Sequence, residues 1–312
     1  MSIFRPLVSV SPKQKSGVSA TRRQLCQSLV AGAALVGPGL LPLNASASAD
    51  LDLSSDRDLL RALVKMRGSL DSGLVIGWLR AKRFAVSQGR IEPLCGFLAA
   101  VFSRFRQVSE ELFEAIVLEI THYTDFETGA LLDRLAMPFA GHTVEVPAFR
   151  FGPASTRYAV RLDEEDEFEP EPDSTQGAFS PAASILMTKS IHRERIHAGS
   201  LYLRHEEHGR VRPRDSDLPG MFYKESTVWS APLDEVLDPN LTRVDARVNY
   251  SAMTSWRPWM HMGDIPGQTA SNGFGARARS VADLPDDFLR YTRELHPDVV
   301  EDPEAVLDMF EG

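Results

Sequence analysis

The stretch from residue 256 to residue 264 places large apolar side chains next to ionisable ones. A pocket for a small organic molecule needs this mixture of mostly apolar walls and a few placed polar groups. His261 has an ordinary pKa near neutrality, so we predict it as a catalytic base that Asp264 orients. Trp256, Arg257 and Trp259 are predicted to bind the substrate. The alternative is structural, with the aromatic side chains closing one end of the core.

A second candidate lies between residues 119 and 123. Side chains alternate between the two faces of a strand, so Glu119 and Tyr123 would share one face and His122 would lie on the other. Facing a cavity, Glu119 is expected to act as a base and Tyr123 as an acid or hydrogen-bond donor. Facing solvent, both would be inert. His122 and Trp78 are added as predicted substrate contacts.

Two basic residues near the start of the domain, Lys65 and Arg67, alternate with apolar neighbours. If they point inward, they are predicted to bind a carboxylate or to stabilise an enolate. If they belong to a solvated outer face, which is the commoner place for lysine and arginine, they have no role in a site.

Histidines and glutamates accumulate between residues 192 and 208. A hairpin between Ser200 and Val211 would bring some of them together, as a metal site requires. Their spacing matches no standard ligand pattern, and residues 205–210 are equally typical of a polar hairpin tip. We therefore predict no metal site. The residues concerned are His192, Glu194, His197, His205, Glu206, Glu207 and His208.

Familiar cofactor and nucleophile motifs are missing from the sequence. It contains no glycine-rich dinucleotide or phosphate loop, no Gly-x-Ser-x-Gly elbow and no His-Glu-x-x-His pair. We expect no cofactor, and the missing motifs argue against nucleotide-binding proteins, flavoenzymes and standard hydrolases. The formal net charge of −9 argues against a nucleic-acid partner, because an acidic surface repels phosphates.

The first 49 residues contain no acidic side chain. Arg22 and Arg23 precede a weakly apolar stretch, residues 29–43, and alternating Ala and Ser follow at 45–49. This order is typical of a twin-arginine (Tat) signal peptide, which predicts passage through the Tat translocase to the periplasm. The alternative is a disordered basic tail followed by a core helix. No apolar run reaches the roughly 20 residues of a membrane-spanning helix.

Residues 50–312 are predicted to form one mainly β domain. Ser55 and Asp58 indicate a short opening helix, and helical patterns return after residue 280. Between them, turn signals at 68–73, 87–89, 125–129, 138–141 and 208–209 separate segments rich in β-forming residues. This pattern predicts an antiparallel meander that forms an open or closed, lipocalin-like β-barrel. Residues 112–123 fit a helix or a strand, and the hairpin signal after them favours a strand.

One strongly acidic run interrupts the domain, and we predict an exposed loop over residues 163–175. A calcium site is the alternative, but the Asp-x-Asp-x-Asp-Gly spacing of a calcium loop is absent.

Three segments carry a family resemblance: VKMRGSLD at 64–71, HYTD at 122–125 and WRPWMHMGD at 256–264. Together they resemble a bacterial, often Tat-exported family of domains of unknown function, the 1838 family. The resemblance extends over essentially the whole predicted mature chain and implies one exported domain. It brings no catalytic residues.

These observations lead to two functional expectations. The first is an exported, cofactor-independent lyase or isomerase that acts on a small hydrophobic, aromatic or terpenoid-like molecule in the barrel. The second is a periplasmic binding protein that uses the same cavity without chemistry. Converging ionisable groups inside the barrel would favour the enzyme, and a purely apolar cavity would favour the binding protein.

Overall fold

The computed structural model describes residues 51–168, 183–214 and 220–308. The predicted signal peptide and residues 169–175 of the predicted acidic loop lie outside these ranges. The helices are α1 (Asp56–Arg67), α2 (Leu233–Leu237), α3 (Asp286–Leu295), α4 (Pro297–Glu301) and α5 (Pro303–Asp308). The strands are β1 (Val75–Ser87), β2 (Arg90–Ser109), β3 (Leu112–Thr124), β4 (Arg134–Ala136), β5 (Thr143–Glu145), β6 (Phe149–Tyr158), β7 (Arg161–Phe168), β8 (Ala183–His197), β9 (Ser200–Pro213), β10 (Met221–Pro232), β11 (Arg247–Ser255) and β12 (Gln268–Ala278).

Ten of these strands form a single antiparallel sheet in the order β6-β3-β2-β1-β12-β11-β10-β9-β8-β7, and the sheet is nearly closed into a barrel. The predicted antiparallel barrel is confirmed, as is the strand over residues 112–123. The first and last strands, β1 and β12, pair over eleven positions. The open side therefore lies between β6 and β7, which follow each other in the chain.

A buried lysine bridges this open side. Lys189 of β8 donates hydrogen bonds to the Thr156 hydroxyl (2.8 Å) and the Arg157 carbonyl (3.1 Å), both on β6. Its Nζ also lies 3.1 Å from the carboxylate of Glu164 on β7. Only 5% of Lys189 is exposed, so its charge is compensated by these partners and not by water. One ammonium thus connects three strands where the backbone ladder is missing.

Helix α1 closes one end of the barrel. The Ser55 hydroxyl accepts a hydrogen bond from the Asp58 amide, so the predicted helix start is confirmed. The helix buries an apolar stripe that includes Leu60 and Leu63 among barrel residues such as Phe113, in one hydrophobic cluster. This packing places Arg67, in the last turn of α1, next to the barrel interior.

The other end is closed by the segment 256–264 together with the short β4–β5 ribbon. Trp259 and Met260 are buried in one cluster with Leu135 of β4 and Val144 of β5. The His142 ring lies within hydrogen-bonding distance of the Met260 carbonyl, at 3.1 Å. The aromatic side chains of this segment therefore close one end of the core, which was the structural alternative to a binding site.

The C-terminal helices cover the outer face of β1, β2 and β3. Phe288 and Leu289 of α3 are buried in a third cluster with Phe102 of β2 and Leu118 of β3. Because side chains alternate along a strand, the intervening residues of these strands face the barrel interior. The C-terminal helices therefore shield the outer side of these strands from solvent.

Two loop predictions are wrong. Residues 163–168 of the acidic run belong to β7, where backbone pairing with β8 and the bridge from Glu164 to Lys189 outweigh charge repulsion. The predicted turn at 208–209 lies inside β9 instead. The β8–β9 turn is formed by Ala198 and Gly199, whose φ values of 48° and 74° suit a tight hairpin.

The β1–β12 contact provides a test of barrel closure. A Cβ added at Gly275 would lie 1.9 Å from the Trp78 carbonyl oxygen, whereas one added at Gly77, on the facing strand, meets nothing within 4 Å. We expect Gly275→Ala to lower the free energy of unfolding by roughly 1–3 kcal/mol, because the two strands must separate. Gly77→Ala is the matched control and should change it by less than about 1 kcal/mol. Urea unfolding followed by tryptophan fluorescence measures both, and equal stabilities would contradict this packing.

Candidate functional site

An internal cavity of about 200 Å³ lies inside the barrel, bordered by residues of both end clusters. Aromatic and aliphatic side chains such as Phe97, Phe105 and Trp229 form much of its wall. Ionisable side chains complete the lining: Arg67, Glu119, Tyr158, Glu207, Tyr223, Glu225 and Tyr250. Apolar walls with a few converging polar groups are the composition expected of a small-molecule site.

Two carboxylates of this lining are directly opposite each other. Glu207 of β9 and Glu225 of β10 are register partners, and both face the interior. Directly opposed residues of antiparallel strands have Cβ atoms roughly 5 Å apart, and like charges there repel. This pair, called the glutamate pair below, therefore favours a state in which one carboxyl keeps its proton.

Arg67 is one of the groups that favour the charged form of Glu207. Its Nη1 lies 3.0 Å from Nδ1 of His205, and a guanidinium can only donate, so Nδ1 accepts and the ring proton is on Nε2. Burial, with Arg67 and Lys189 nearby, lowers the pKa of His205 to about 3 despite Glu207, so the ring is neutral. Burial disfavours the charged form of Glu207, but His205, Arg67 and Lys189 together hold its pKa below the ordinary value.

The pKa of Glu225 is displaced in the opposite direction. Burial and the neighbouring Glu207 raise the pKa of Glu225 to about 7, against the effects of the Tyr223 hydrogen bond and of Arg67. The Tyr223 hydroxyl donates a hydrogen bond to Glu225 Oε2. Burial and the same carboxylates raise the pKa of Tyr223 well above 10, so this hydroxyl remains a donor. Two neighbouring carboxyls with pKa values displaced in opposite directions are typical of an acid–base pair.

Glu119 and Tyr250 lie on other parts of the wall. The Thr121 hydroxyl donates to Glu119 at 2.8 Å, and burial raises the pKa of Glu119. The Tyr250 ring packs edge-on against Phe97, with centroids 6.1 Å apart. Burial and Glu225 raise the pKa of Tyr250 well above 10, and within the described ranges its hydroxyl makes no hydrogen bond. It is therefore a donor available to a ligand.

Of the residues predicted from the sequence, Arg67 and Glu119 line the cavity. Tyr123 is on the interior face, as expected, but its ring packs against Trp259 at 5.4 Å in the cluster that closes the barrel. Residue 78 borders the cavity, yet the Trp78 side chain packs with the outer cluster and against Phe274. Its predicted ligand contact is not supported, because its neighbours in β1 take the inward positions.

Lys65 and His122 are outside the cavity, which corrects their predicted substrate contacts. Lys65 Nζ donates to the Val236 and Asp238 carbonyls at 2.7 and 2.6 Å, and so fixes α2. Positions 65 and 67 belong to a helix, where residues two apart do not share a face. His122 is on the outer face, 2.8 Å from the Thr292 hydroxyl, and burial lowers its pKa to about 4.

The predicted catalytic pair of His261 and Asp264 is also away from the cavity. Both residues are exposed at the barrel end, and His261 adopts a left-handed conformation with φ 49° after a short 3-10 turn. Among the contacts found in the described chain, none joins the two side chains. A local turn places His261 and Asp264 at the surface, because the apolar residues of the same segment are buried in the core.

The remaining residues of this segment are structural or peripheral. The Trp256 indole donates to the Ile265 carbonyl at 3.0 Å, and Trp259 is buried. The predicted substrate contacts of both tryptophans are therefore not supported. Arg257 is half-buried, and its charge acts on Glu119 inside the barrel.

The histidine group is dispersed. His205 is buried inside the barrel, whereas the exposed His192 contacts the Ser190 hydroxyl at 3.0 Å. Over residues 51–168, 183–214 and 220–308, no three histidine, cysteine or acidic side chains come together as a metal site would require.

Tyr223, Glu225 and Tyr250 were not predicted as site residues, and Glu207 was named only as a member of the histidine group. A usable signal was present, since Tyr223, Glu225 and Trp229 recur at even spacing along one segment, as inward residues of a strand do. Because residues 205–210 were predicted to form a hairpin tip, the inward position of Glu207 in a strand was not recognised. Pairing between β9 and β10 then brought the two glutamates together.

The raised pKa of Glu225 predicts how stability depends on pH. The pKa of Glu225 in the folded protein, about 7, exceeds the ordinary value of 4.5. The contribution of Glu225 to the free energy of unfolding is therefore complete below pH 4.5 and is lost as the pH rises through 7. We expect the free energy of unfolding to fall by roughly 1–3 kcal/mol across this window, with a flatter profile in Glu225→Gln. Glu206→Gln, on the outer face of β9, is the control. Urea titrations between pH 4.5 and 8 measure the slopes, and parallel wild-type and Glu225→Gln profiles would contradict the assignment.

Comparison with known proteins adds one match. No curated protein matches the chain. In the described ranges, helices that are both long and apolar enough to span a membrane were not found. Residues 218–311, which include Tyr223, Glu225 and Tyr250, match the model of a family described as a protein of unknown function (DUF1838). This confirms the family resemblance drawn from the sequence for that part of the chain, which contains the segment 256–264.

Proposed function

We propose that the protein is a cofactor-independent acid–base enzyme, a lyase or an isomerase, acting on a small and largely hydrophobic molecule in the barrel cavity. The observation that carries this proposal is the glutamate pair in an internal cavity, with Glu225 titrating near neutrality. A group whose pKa lies near the working pH can both accept and return a proton efficiently.

The proposed first step is a proton transfer from carbon. The Glu225 carboxylate takes a proton from a carbon next to a carbonyl group, and the C–H electron pair moves into the carbonyl system. The free Tyr250 hydroxyl donates to the oxygen on which negative charge develops. Glu225 then returns the proton to another carbon, giving an isomer, or to a departing group, giving elimination. Neither outcome requires an oxidant or a reductant.

Other residues of the cavity support this step. Tyr223 is a positioning residue, because its hydrogen bond holds the Glu225 carboxyl in one orientation. Arg67 keeps Glu207 charged, and that charge raises the pKa of Glu225. The cavity volume of about 200 Å³ is below the roughly 300–1,000 Å³ typical of sites for drug-sized ligands, which favours a small substrate.

A binding protein without chemistry is the second candidate. It is favoured by the aliphatic and aromatic side chains that form much of the wall, such as Leu79, Val101 and Phe105. Both candidates need the same cavity, so the decisive measurement is turnover.

The test begins with ligands found by thermal stabilisation in a panel of small ketones and enones. Gly77→Leu, which fills open space at the cavity wall, identifies hits that bind inside. Hits are then incubated in D₂O with wild type, Glu225→Gln or the control Glu206→Gln, and followed by NMR. We expect deuterium incorporation or product to fall about 10²-fold or more only in Glu225→Gln.

Retained binding in Glu225→Gln would show that the loss concerns proton transfer. Unchanged turnover in that variant would remove Glu225 from the mechanism. Internal ligands that never exchange or react with the wild-type protein would favour the binding protein.

We further propose that the protein reaches the periplasm through the Tat pathway, on the evidence of residues 1–49. Changing both Arg22 and Arg23 to lysine should leave uncleaved precursor in the cytoplasm, because the pathway recognises the arginine pair. Lys13→Arg, in the same basic region, is the control. Cell fractionation with mass measurement of the N-terminus reports the result, and normal export of the double variant would contradict the proposal.

A further inference from the structure

A second arginine inside the barrel has no anionic partner. Arg83 of β1 is only 6% exposed, and its Nε donates to the Ser271 hydroxyl at 3.1 Å. Its Nη1 is buried without a hydrogen-bond partner. In the described part of the chain, no carboxylate lies within ion-pairing distance of this guanidinium. A buried charge without a counter-charge costs several kcal/mol, so the arrangement requires an explanation.

Aromatic packing compensates only part of this cost. The Arg83 Cζ lies 4.8 Å from the centre of the Phe97 ring and 5.6 Å from that of Tyr123. Cation–π contacts of this kind contribute about 0.5–2 kcal/mol. A guanidinium stacked on its flat face still presents its N–H edge, which is the edge that binds carboxylates.

Arg83 lies directly behind the wall of the cavity. Phe97, which carries the guanidinium, lines the cavity and packs against Tyr250, another lining residue. The Arg83 charge also acts on two further groups of the lining, lowering the pKa of Glu119 and of Tyr250 against the effect of burial. The Phe97 ring is thus in contact with both the Arg83 guanidinium and the cavity.

The charges of the cavity leave room for an anion. The cations Arg67 and Lys189 favour the charged form of Glu207, whereas the pKa of Glu225, about 7, leaves that carboxyl partly protonated near neutrality. Burial raises the pKa of Glu119 against the effect of Arg83.

We propose that the cavity takes a small organic carboxylate whose anionic group pairs with Arg83. The inference rests on the proposed function for the location of the site and narrows its substrate class to carboxylic acids. An aromatic or unsaturated acid fits both the apolar wall and the guanidinium, with its remaining carbons directed towards the glutamate pair.

Three matched probes of similar shape test the proposal: benzoate, the neutral benzamide and the cationic benzylamine. Calorimetry and thermal shift with the purified domain should show binding of benzoate and at least about tenfold weaker binding of the other two. Arg83→Met should weaken benzoate binding by about tenfold or more. Arg80→Met is the control, since Arg80 lies on the outer face of the same strand and pairs with Asp287 at 2.7 Å.

Without any probe, Arg83→Met should melt no lower than wild type, because an unpaired buried charge is removed. If Arg83→Met does not fold, the proposal is tested by comparing the binding of benzoate and benzamide. Both probes are then measured with the wild-type protein and with Gly77→Leu. Benzoate-selective binding that is lost on filling the cavity supports the proposal. Absent benzoate binding, equal benzamide binding or unchanged affinity in Arg83→Met overturns it.

The two proposals fail in different ways. Benzoate binding does not require Glu225, and Glu225→Gln should retain it, since a negative charge is removed. Glu225-dependent turnover of neutral ketones without benzoate binding would reject the carboxylate site alone. Benzoate binding without any turnover would leave the carboxylate site and reject the enzyme.

Discussion

The Arg67 guanidinium governs the distribution of charge inside this barrel. It reaches the cavity from the last turn of α1, lies 5.1 Å from the centre of the Tyr158 ring and donates to a neutral His205. From there, together with His205 and Lys189, it lowers the pKa of Glu207, while burial and Glu207 raise the pKa of Glu225. The differing proton affinities of the glutamate pair thus depend on a residue from the element that closes the barrel.

That dependence links the fold to the site. Helix α1 buries its apolar stripe in the barrel end, and the same packing fixes the position of Arg67. The opposite end is closed by Trp259 and the β4–β5 ribbon, and Lys189 spans the side where β6 and β7 do not pair. Apolar packing closes both ends, and a buried ion pair with hydrogen bonds spans the open side. The cavity between them is a place where charges are weakly screened.

The interior concentrates groups that cost stability. The His205 Nε2, Arg83 Nη1 and Trp229 Nε1 atoms are buried without hydrogen-bond partners. Unpaired donors of this kind oppose folding, whereas three hydrophobic clusters around and beyond the cavity favour it. Protein structures tolerate such groups mainly where a ligand or a reaction uses them, which is why the interior is the focus of both proposals.

The sequence by itself determined the mainly β architecture, the capped helix α1 and the inward face shared by Glu119 and Tyr123, because these follow from local periodicity and capping chemistry. It did not determine which ionisable groups converge. Glu207 and Glu225 are eighteen positions apart and meet only through the register of β9 and β10. His261, attractive as an isolated base, was carried to the surface by a turn whose apolar neighbours entered the core. Tertiary structure decided the site because burial and pairing, not residue type, set the pKa of each group.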